Sequence, residues 1–334
     1  MTFPSAEEAI VSVEDLEITY RTIYGPLKAI NGVDLSVARG ESVSIVGESG
    51  CGKSTLGLAI VRLLPPNATY SRGRLMLDGR DVTTMKNREV LSMRGSKAFM
   101  IFQDPLNTLN PVKRIDAQML EAIRSRNRHA RESFDEDDAL REAVGRLEDV
   151  RMPDPASIIT RYPHQLSGGQ IQRVVIAMGL LMRPKLMIAD EPTSALDVTV
   201  QAQVLKLLRE LQREYKMSIV FITHDINVAY TICDRMVVMY AGEVVESGNA
   251  DNITKNPRHP YAQALISSIP RTTKKQGRLT AISGAPPNML IPPAGCRFNP
   301  RCPHVMDVCR TTSPGAMVEN NDTVRCFLYD RHTS

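Results

Sequence analysis

At 334 residues, 43% hydrophobic and 23% charged, the chain has ordinary globular composition and is long enough for one large domain with an appendage. Its formal charge of +4 is mild. The one basic run, RSRNRHAR at 124–131, reads as the solvated face of a helix, so no nucleic-acid partner is expected. The first ten residues, MTFPSAEEAI, lack the basic start and apolar stretch of a secretory signal. The longest apolar run, VVIAMGLLM, is nine residues, far short of a membrane span. A cytoplasmic setting is therefore expected, where clustered cysteines point to a metal or cluster rather than to disulfides.

In chain order, DLEITY, GVDLSV and GRLMLDG are strand-like and suggest an antiparallel sheet beside a parallel core. SVSIV then leads into GESGCGKST, residues 47–55, followed by TLGLAIVRLL with helical spacing. Strand, G-x-x-x-x-G-K-[ST] and helix together specify a phosphate-binding loop. Gly47, Glu48, Ser49, Gly50, Cys51, Gly52, Lys53, Ser54 and Thr55 would wrap the phosphates with backbone N–H groups at a helix N-terminus. Lys53 would reach the β- and γ-phosphates and Ser54 would ligate Mg²⁺. Cys51 and Cys233 read as small, inert residues.

Between 112 and about 159 the sequence is charged and helix-prone. FDEDDALREAVGRLEDV spaces its apolar residues as an amphipathic helix, with Ser133 and the acidic residues after it suited to its start. LSGGQ, residues 166–170, precedes another helical run, so Ser167, Gly168, Gly169 and Gln170 form a second anion site with little side-chain bulk. One nucleotide hardly needs two such sites, which points to a nucleotide held by a partner chain. KLMIADE, residues 185–191, is an apolar strand ending in Asp190, suited to the Mg²⁺ shell, and Glu191, suited to the general base that activates water. QAQVLKLLRELQREY is amphipathic, SIVFITHD is a buried strand, and RMVVMYAGEVVESG makes two strands around Ala241-Gly242.

After Gly248 the composition shifts. NPRHPYAQALISSIP has helical spacing beyond its prolines, and GAPPNMLIPPAG is a proline-rich connector. Cys296, Cys302, Cys309 and Cys326 follow with gaps of five, six and sixteen residues. Four thiolates can hold a [4Fe–4S] cluster or a tetrahedral Zn²⁺. The long, uneven gaps and Pro303 after Cys302 favour the cluster, with zinc or unligated thiols as alternatives.

The order GESGCGKST, LSGGQ, LMIADE, SALD and ITHD resembles that of an ATP-binding cassette (ABC) ATPase. PTSALDVTVQAQ, NPRHPYAQAL and PPAGCRFNPRCP further resemble the oligopeptide/dipeptide subfamily of bacterial importer ATPases. The resemblance implies an α/β fold: a RecA-like parallel-sheet core, an antiparallel β subdomain, an α-helical subdomain at about 104–165 and a small irregular cysteine-containing extension. It divides the chain into a cassette, 1–250, and an extension, 251–334. It also implies that Gln103 in FMIFQDP contacts Mg²⁺ and water, that His224 meets the γ-phosphate, and that Asp197 in SALD crosses a dimer interface. The adenine would stack on Tyr24, favoured by spacing, or on Tyr20. The implied partners are a sister ATPase, two permease subunits and an extracytoplasmic substrate-binding protein, with the ATPases at the cytoplasmic face of the bacterial membrane. Relatives of this subfamily also carry nickel, opines or oligosaccharides, and more distant readings are a non-transport cassette ATPase or a redox-sensing nucleotide-binding regulator. Members of the resembled family also support the cluster at the four cysteines.

Overall fold

Runs of β-branched residues open the chain as two long strands, β1 (Ala9–Thr22) and β2 (Gly25–Ala38), with Ile23 and Tyr24 at the turn. The computed structural model describes residues 8–268, 282–319 and 322–330. Its chain falls into two units, Met1–Thr83 with Phe221–Ser334, and Thr84–Val220.

In the first unit β1 pairs antiparallel with β2 and with β4 (Ala68–Leu77), and the short β5 (Arg80–Asp81) completes a sheet ordered β2-β1-β4-β5. Val13, Leu16, Ile18, Val33, Leu35 and Leu75 are buried in it. The antiparallel sheet expected from DLEITY, GVDLSV and GRLMLDG is present. A second set of strands supports the phosphate loop. Here β3 (Ser42–Val46) runs parallel to β9 (Arg235–Tyr240), which forms a hairpin with β10 (Glu243–Asn249). Ala241 and Gly242 make that turn at φ 48° and 84°, a left-handed geometry suited to glycine. From the C-terminal region, β12 (Asp322–Val324) pairs with β10 and with β11 (Met317–Glu319). Helix α1 (Lys53–Ile60) starts inside the glycine loop, and α9 (Ile226–Ile232), α10 (Ala250–Lys255), α11 (Pro260–Ser267) and α12 (Asp307–Thr311) complete this unit. The connector at 284–295 forms neither helix nor strand. Ile269 and Pro270, the end of the helical run read from sequence, lie outside the described residues.

The second unit pairs β6 (Ala98–Ile101) parallel to β7 (Leu186–Asp190), whose five residues are all buried. Around it are α2 (Asn87–Met93), α3 (Pro105–Thr108), α4 (Ile115–Ala130), α5 (Glu136–Asp149), α6 (Pro155–Ile158), α7 (Gly168–Leu181) and α8 (Val198–Tyr215). The strand β8 (Ser218–Thr223) carries the chain back to the first unit. Two expectations are corrected here. Asp135, not Ser133, caps α5, because its carboxylate accepts the Asp138 N–H at 2.9 Å. The basic run is also not uniformly solvated. Arg126 turns inward and makes a two-pronged pair with Glu142, 2.8 Å on each side, while donating to the Leu181 carbonyl at 2.7 Å. With Arg183 adding a third contact, the Glu142 carboxyl is pulled down to about 2, chiefly by its bond to Arg126. Among the described residues no helix is long and apolar enough to cross a membrane.

Candidate nucleotide site and cysteine pocket

The loop from Gly47 to Thr55 lies against the β9–β10 hairpin, and glycine is required there by close approach. A Cβ on Gly47 would stand 2.2 Å from the Met239 carbonyl oxygen, and one on Gly52 would stand 2.6 Å from that of Ala29. Gly47 and Gly52 also have φ 154° and 105°. The Gly242 N–H donates to the Cys51 carbonyl at 2.9 Å, fixing loop to hairpin. Lys53 is buried at the base of α1, its ammonium donating to the carbonyls of Gly47 (2.8 Å) and Glu48 (3.0 Å). The cation thus sits folded into the loop, where the phosphates of a nucleotide would compete for it. Ser49, Gly50 and Ser54 are exposed, whereas Cys51 is buried and its thiol is pushed up by that burial. Both cysteines read as inert, Cys51 and Cys233, are buried. Tyr20 lies beside the loop, its hydroxyl 3.2 Å from Thr55 Oγ1, whereas Tyr24 is 80% exposed at the β1–β2 turn. His224 is exposed at the end of β8.

The second unit gathers the carboxylates. Buried β7 ends at Asp190, which is itself buried, and the next residue, Glu191, has φ 44°. A non-glycine residue in that region costs about 1–3 kcal/mol and is held only by its surroundings. Gln103, just after β6, donates to Glu191 Oε2 at 3.2 Å, so the two are in hydrogen-bond contact. Ser167 caps α7, accepting the Gln170 N–H, while Gln170 Oε1 accepts the Ser167 N–H at 2.9 Å. The signature residues Ser167 and Gly168 are exposed. A Cβ at Gly169 would approach Val200 Cγ1 to 2.6 Å, so bulk is excluded there. Asp197 caps α8 through the N–H groups of Thr199 and Val200 and is exposed. A helix start bare of side chains and open to solvent can receive an anion that the chain itself does not carry.

In the first unit, Cys296, Cys302, Cys309 and Cys326 line one small cavity of about 10 Å³, with His259, Phe298 and His304. All are free cysteines. Burial pushes the Cys296 thiol up to about 11, with Cys309, Cys326 and Cys302 adding to the shift, and burial also raises Cys302 and Cys326. The four thiols, separated in sequence by up to sixteen residues, line the same cavity. Among the described residues, however, no group of three or more His, Cys, Asp or Glu side chains stands ready to hold a metal ion. The thiols line a void about large enough for one water. The donor set suits a thiophilic metal, but ligation must remove protons and open the pocket. His259 is buried beside it, its Nδ1 accepting the Tyr261 N–H at 3.0 Å, and burial drives its imidazole down to about 3.

Three residues next to the loop had no role in the sequence reading. The Glu48 N–H donates to the Tyr261 hydroxyl at 2.8 Å, and the Glu48 carboxylate is gripped by Arg301 at 2.7 and 3.0 Å. Arg297 bonds the Ala241 carbonyl and pairs with Glu243 at 3.1 Å. No spacing rule pairs Arg301 with a residue 253 positions earlier.

The family model described as ABC transporter matches residues 30–194, and that for the oligopeptide/dipeptide transporter C-terminal region matches 245–309. The chain is 41% identical to the dipeptide transport ATP-binding protein DppD of Bacillus subtilis (strain 168), over 97% of this chain and 96% of that protein. It is 42% identical to the oligopeptide transport ATP-binding protein OppD of Escherichia coli (strain K12), over 94% and 92%. Among solved structures it is similar to the ATP-binding cassette MJ0796, a dimer in a post-hydrolysis state bound to ADP and Pi. The TM-score is 0.64 at 29% identity, covering 72% of this chain and 98% of that one. The chain therefore belongs to the ATP-binding cassette transporter family, as an ATPase whose C-terminal region is of the oligopeptide/dipeptide transporter type.

Proposed function

We propose that this chain hydrolyses ATP to power the import of dipeptides or oligopeptides, as a peripheral subunit on the cytoplasmic face of a bacterial membrane. It would work beside a sister ATPase and beneath two permease subunits, fed by an extracytoplasmic substrate-binding protein. The observation that carries the cargo class is that the cassette motifs and the peptide-transporter C-terminal region occur in one chain, as in DppD and OppD. We place the boundary between cassette and extension at 250/251, near the start of the C-terminal match at 245, and a helical subdomain at about 104–165, where α4, α5 and α6 lie.

In the proposed cycle, ATP displaces the Gly47 and Glu48 carbonyls from Lys53, and the loop N–H groups receive the phosphates. Ser54, Gln103 and Asp190 would hold Mg²⁺, which would supply positive charge against the phosphates. Glu191 takes the proton of the attacking water. Its contact with Gln103 supports a shared role in holding that water. His224 meets the γ-phosphate. Ser167, Gly168, Gly169 and Gln170 serve the nucleotide of the partner ATPase, with Asp197 at the interface; the exposure of Ser167, Gly168 and Asp197 supports this. Tyr20, beside Thr55, is the better platform for the adenine than the outlying Tyr24. The test is reconstitution with the permeases and binding protein, measuring ATP-dependent uptake of labelled dipeptide and oligopeptide. Uptake that stops with Lys53→Ala is the expected result; a complex that hydrolyses ATP but moves no peptide contradicts the cargo.

For the tail we propose that Cys296, Cys302, Cys309 and Cys326 hold a [4Fe–4S] cluster. The support is four thiols at one cavity, a set that could also take Zn²⁺. Anaerobic purification with assays of iron, sulfide and zinc decides. About four irons and four sulfides per chain support the cluster; about one zinc replaces it with a structural ion.

A further inference from the structure

We propose that the C-terminal extension is part of the nucleotide site: Arg301 and Tyr261 are positioning residues that hold the phosphate-binding loop through Glu48. This rests on the ATP-binding role of the loop and on no metal.

Glu48 is the second residue of the loop, and its backbone carbonyl is one of the two that hold Lys53. Both ends of the residue are tied to the extension. Its N–H donates to the Tyr261 hydroxyl at 2.8 Å, and its carboxylate takes two parallel bonds from Arg301. A two-pronged guanidinium–carboxylate pair fixes orientation as well as distance. The Arg301 side chain is 4% exposed, so solvent screens this pair far less than a surface bridge. Arg301 is anchored in turn. Its Nε donates to the Ser283 carbonyl at 2.9 Å, its Nη1 reaches the Tyr240 hydroxyl at 3.3 Å, and its guanidinium lies 5.7 Å from the Tyr240 ring centroid. Its bond to Glu48 raises the guanidinium further above its ordinary range.

Tyr261 is equally fixed, because its ring packs with Tyr240 and Phe298 at centroid distances of 4.5 and 5.5 Å. Tilted and edge-on ring contacts of this kind fix the ring's orientation, so the hydroxyl has one position to offer. A second tie runs parallel. Arg297 bonds the Ala241 carbonyl, and the adjoining Gly242 N–H donates to the Cys51 carbonyl at the far side of the loop. Arg297 follows Cys296 and Arg301 precedes Cys302, so the segment CRFNPRC braces the loop at two points and has a pocket thiol at each end. Residues that recognise no phosphate themselves thereby set where the phosphate-binding N–H groups point.

The test is a double-mutant cycle on the full chain, read by the affinity for Mg²⁺ and the non-hydrolysable ATP analogue adenylyl-imidodiphosphate, with the nucleotide-free melting temperature recorded alongside. Arg301→Gln and Glu48→Gln should each weaken binding about tenfold, and the double variant also by about tenfold, because one linkage is lost in all three. Tyr261→Phe keeps the ring and removes one acceptor, and should weaken binding about three- to fivefold. Two results overturn the proposal. One is wild-type affinity in Arg301→Gln with only a lower melting temperature. The other is a double variant about a hundredfold weaker, which would make the residues independent. If Arg301→Gln does not fold, Tyr261→Phe decides alone, and unchanged affinity there rejects the assignment.

Discussion

The phosphate loop and the four-thiol pocket lie in the same unit, yet they are built on opposite principles. The loop works through its backbone, and Gly47 and Gly52 sit where a Cβ would collide with Met239 or Ala29. Its motif spans nine consecutive residues. The pocket works through side chains drawn from a stretch of 31 residues, and its four thiols, two buried and two half-buried, line a void of about 10 Å³. A backbone site is poised before its ligand arrives. A thiol site of this kind is finished only by its ligand, because the ligand must displace the protons.

The sharpest way to separate the two is to disable one and read the other. Lys53→Ala should weaken ATP binding by about 100-fold or more in equilibrium titration, since two or more charge-assisted contacts are lost. It should leave the metal content of the tail unchanged. Next comes acid. His259 is buried neutral beside the thiols, with a folded value of about 3 against an ordinary 6.5. A base whose affinity for protons is lowered by folding contributes stability in full above about 6.5, and that stability is lost as pH falls toward 3. The melting temperature should therefore drop between pH 7 and pH 5, and His259→Gln should flatten that slope. An unchanged slope would remove His259 from the account.

The smallest effect belongs to the second unit. Glu142 has its carboxyl lowered to about 2 by Arg126, so it stabilises the fold fully above about 4.5, and the contribution fades as pH falls toward 2. With allowance for solvent screening of this partly open pair, Glu142→Gln should cost about 1–2 kcal/mol in chemical denaturation at pH 7. The cost should shrink below pH 4. A cost that persists in acid would mean packing, not charge, is what Glu142 supplies.

Much of the nucleotide chemistry was legible because each motif is local. GESGCGKST, LMIADE and LSGGQ each spell a strand end or helix start, and the structure puts Lys53, Asp190 and Ser167 at those places. The turn at Ala241-Gly242 was readable for the same reason. Contacts made across the fold were not readable. Arg126 looked like solvated charge because its partners, Glu142 and Leu181, come from other helices. Ser133 looked like a cap because Asp135, two residues on, competes for the same role with a better-placed carboxylate. Spacing favoured Tyr24 over Tyr20, whereas it is Tyr20 that bonds Thr55 on another element. Arg301 and Tyr261 were invisible for the same reason: their partner is Glu48, at the opposite end of the chain.

The proposed role of Glu191, whose carboxylate accepts from Gln103 and whose φ is 44°, is to activate water for ATP hydrolysis. The most direct test compares Glu191→Gln with the wild-type chain in the assembled transporter, measuring ATP affinity and single-turnover hydrolysis on the same preparation. Affinity within a few-fold of wild type, with hydrolysis slowed by about 100-fold or more, is the predicted result. Hydrolysis at the wild-type rate would contradict it and move the base to another residue.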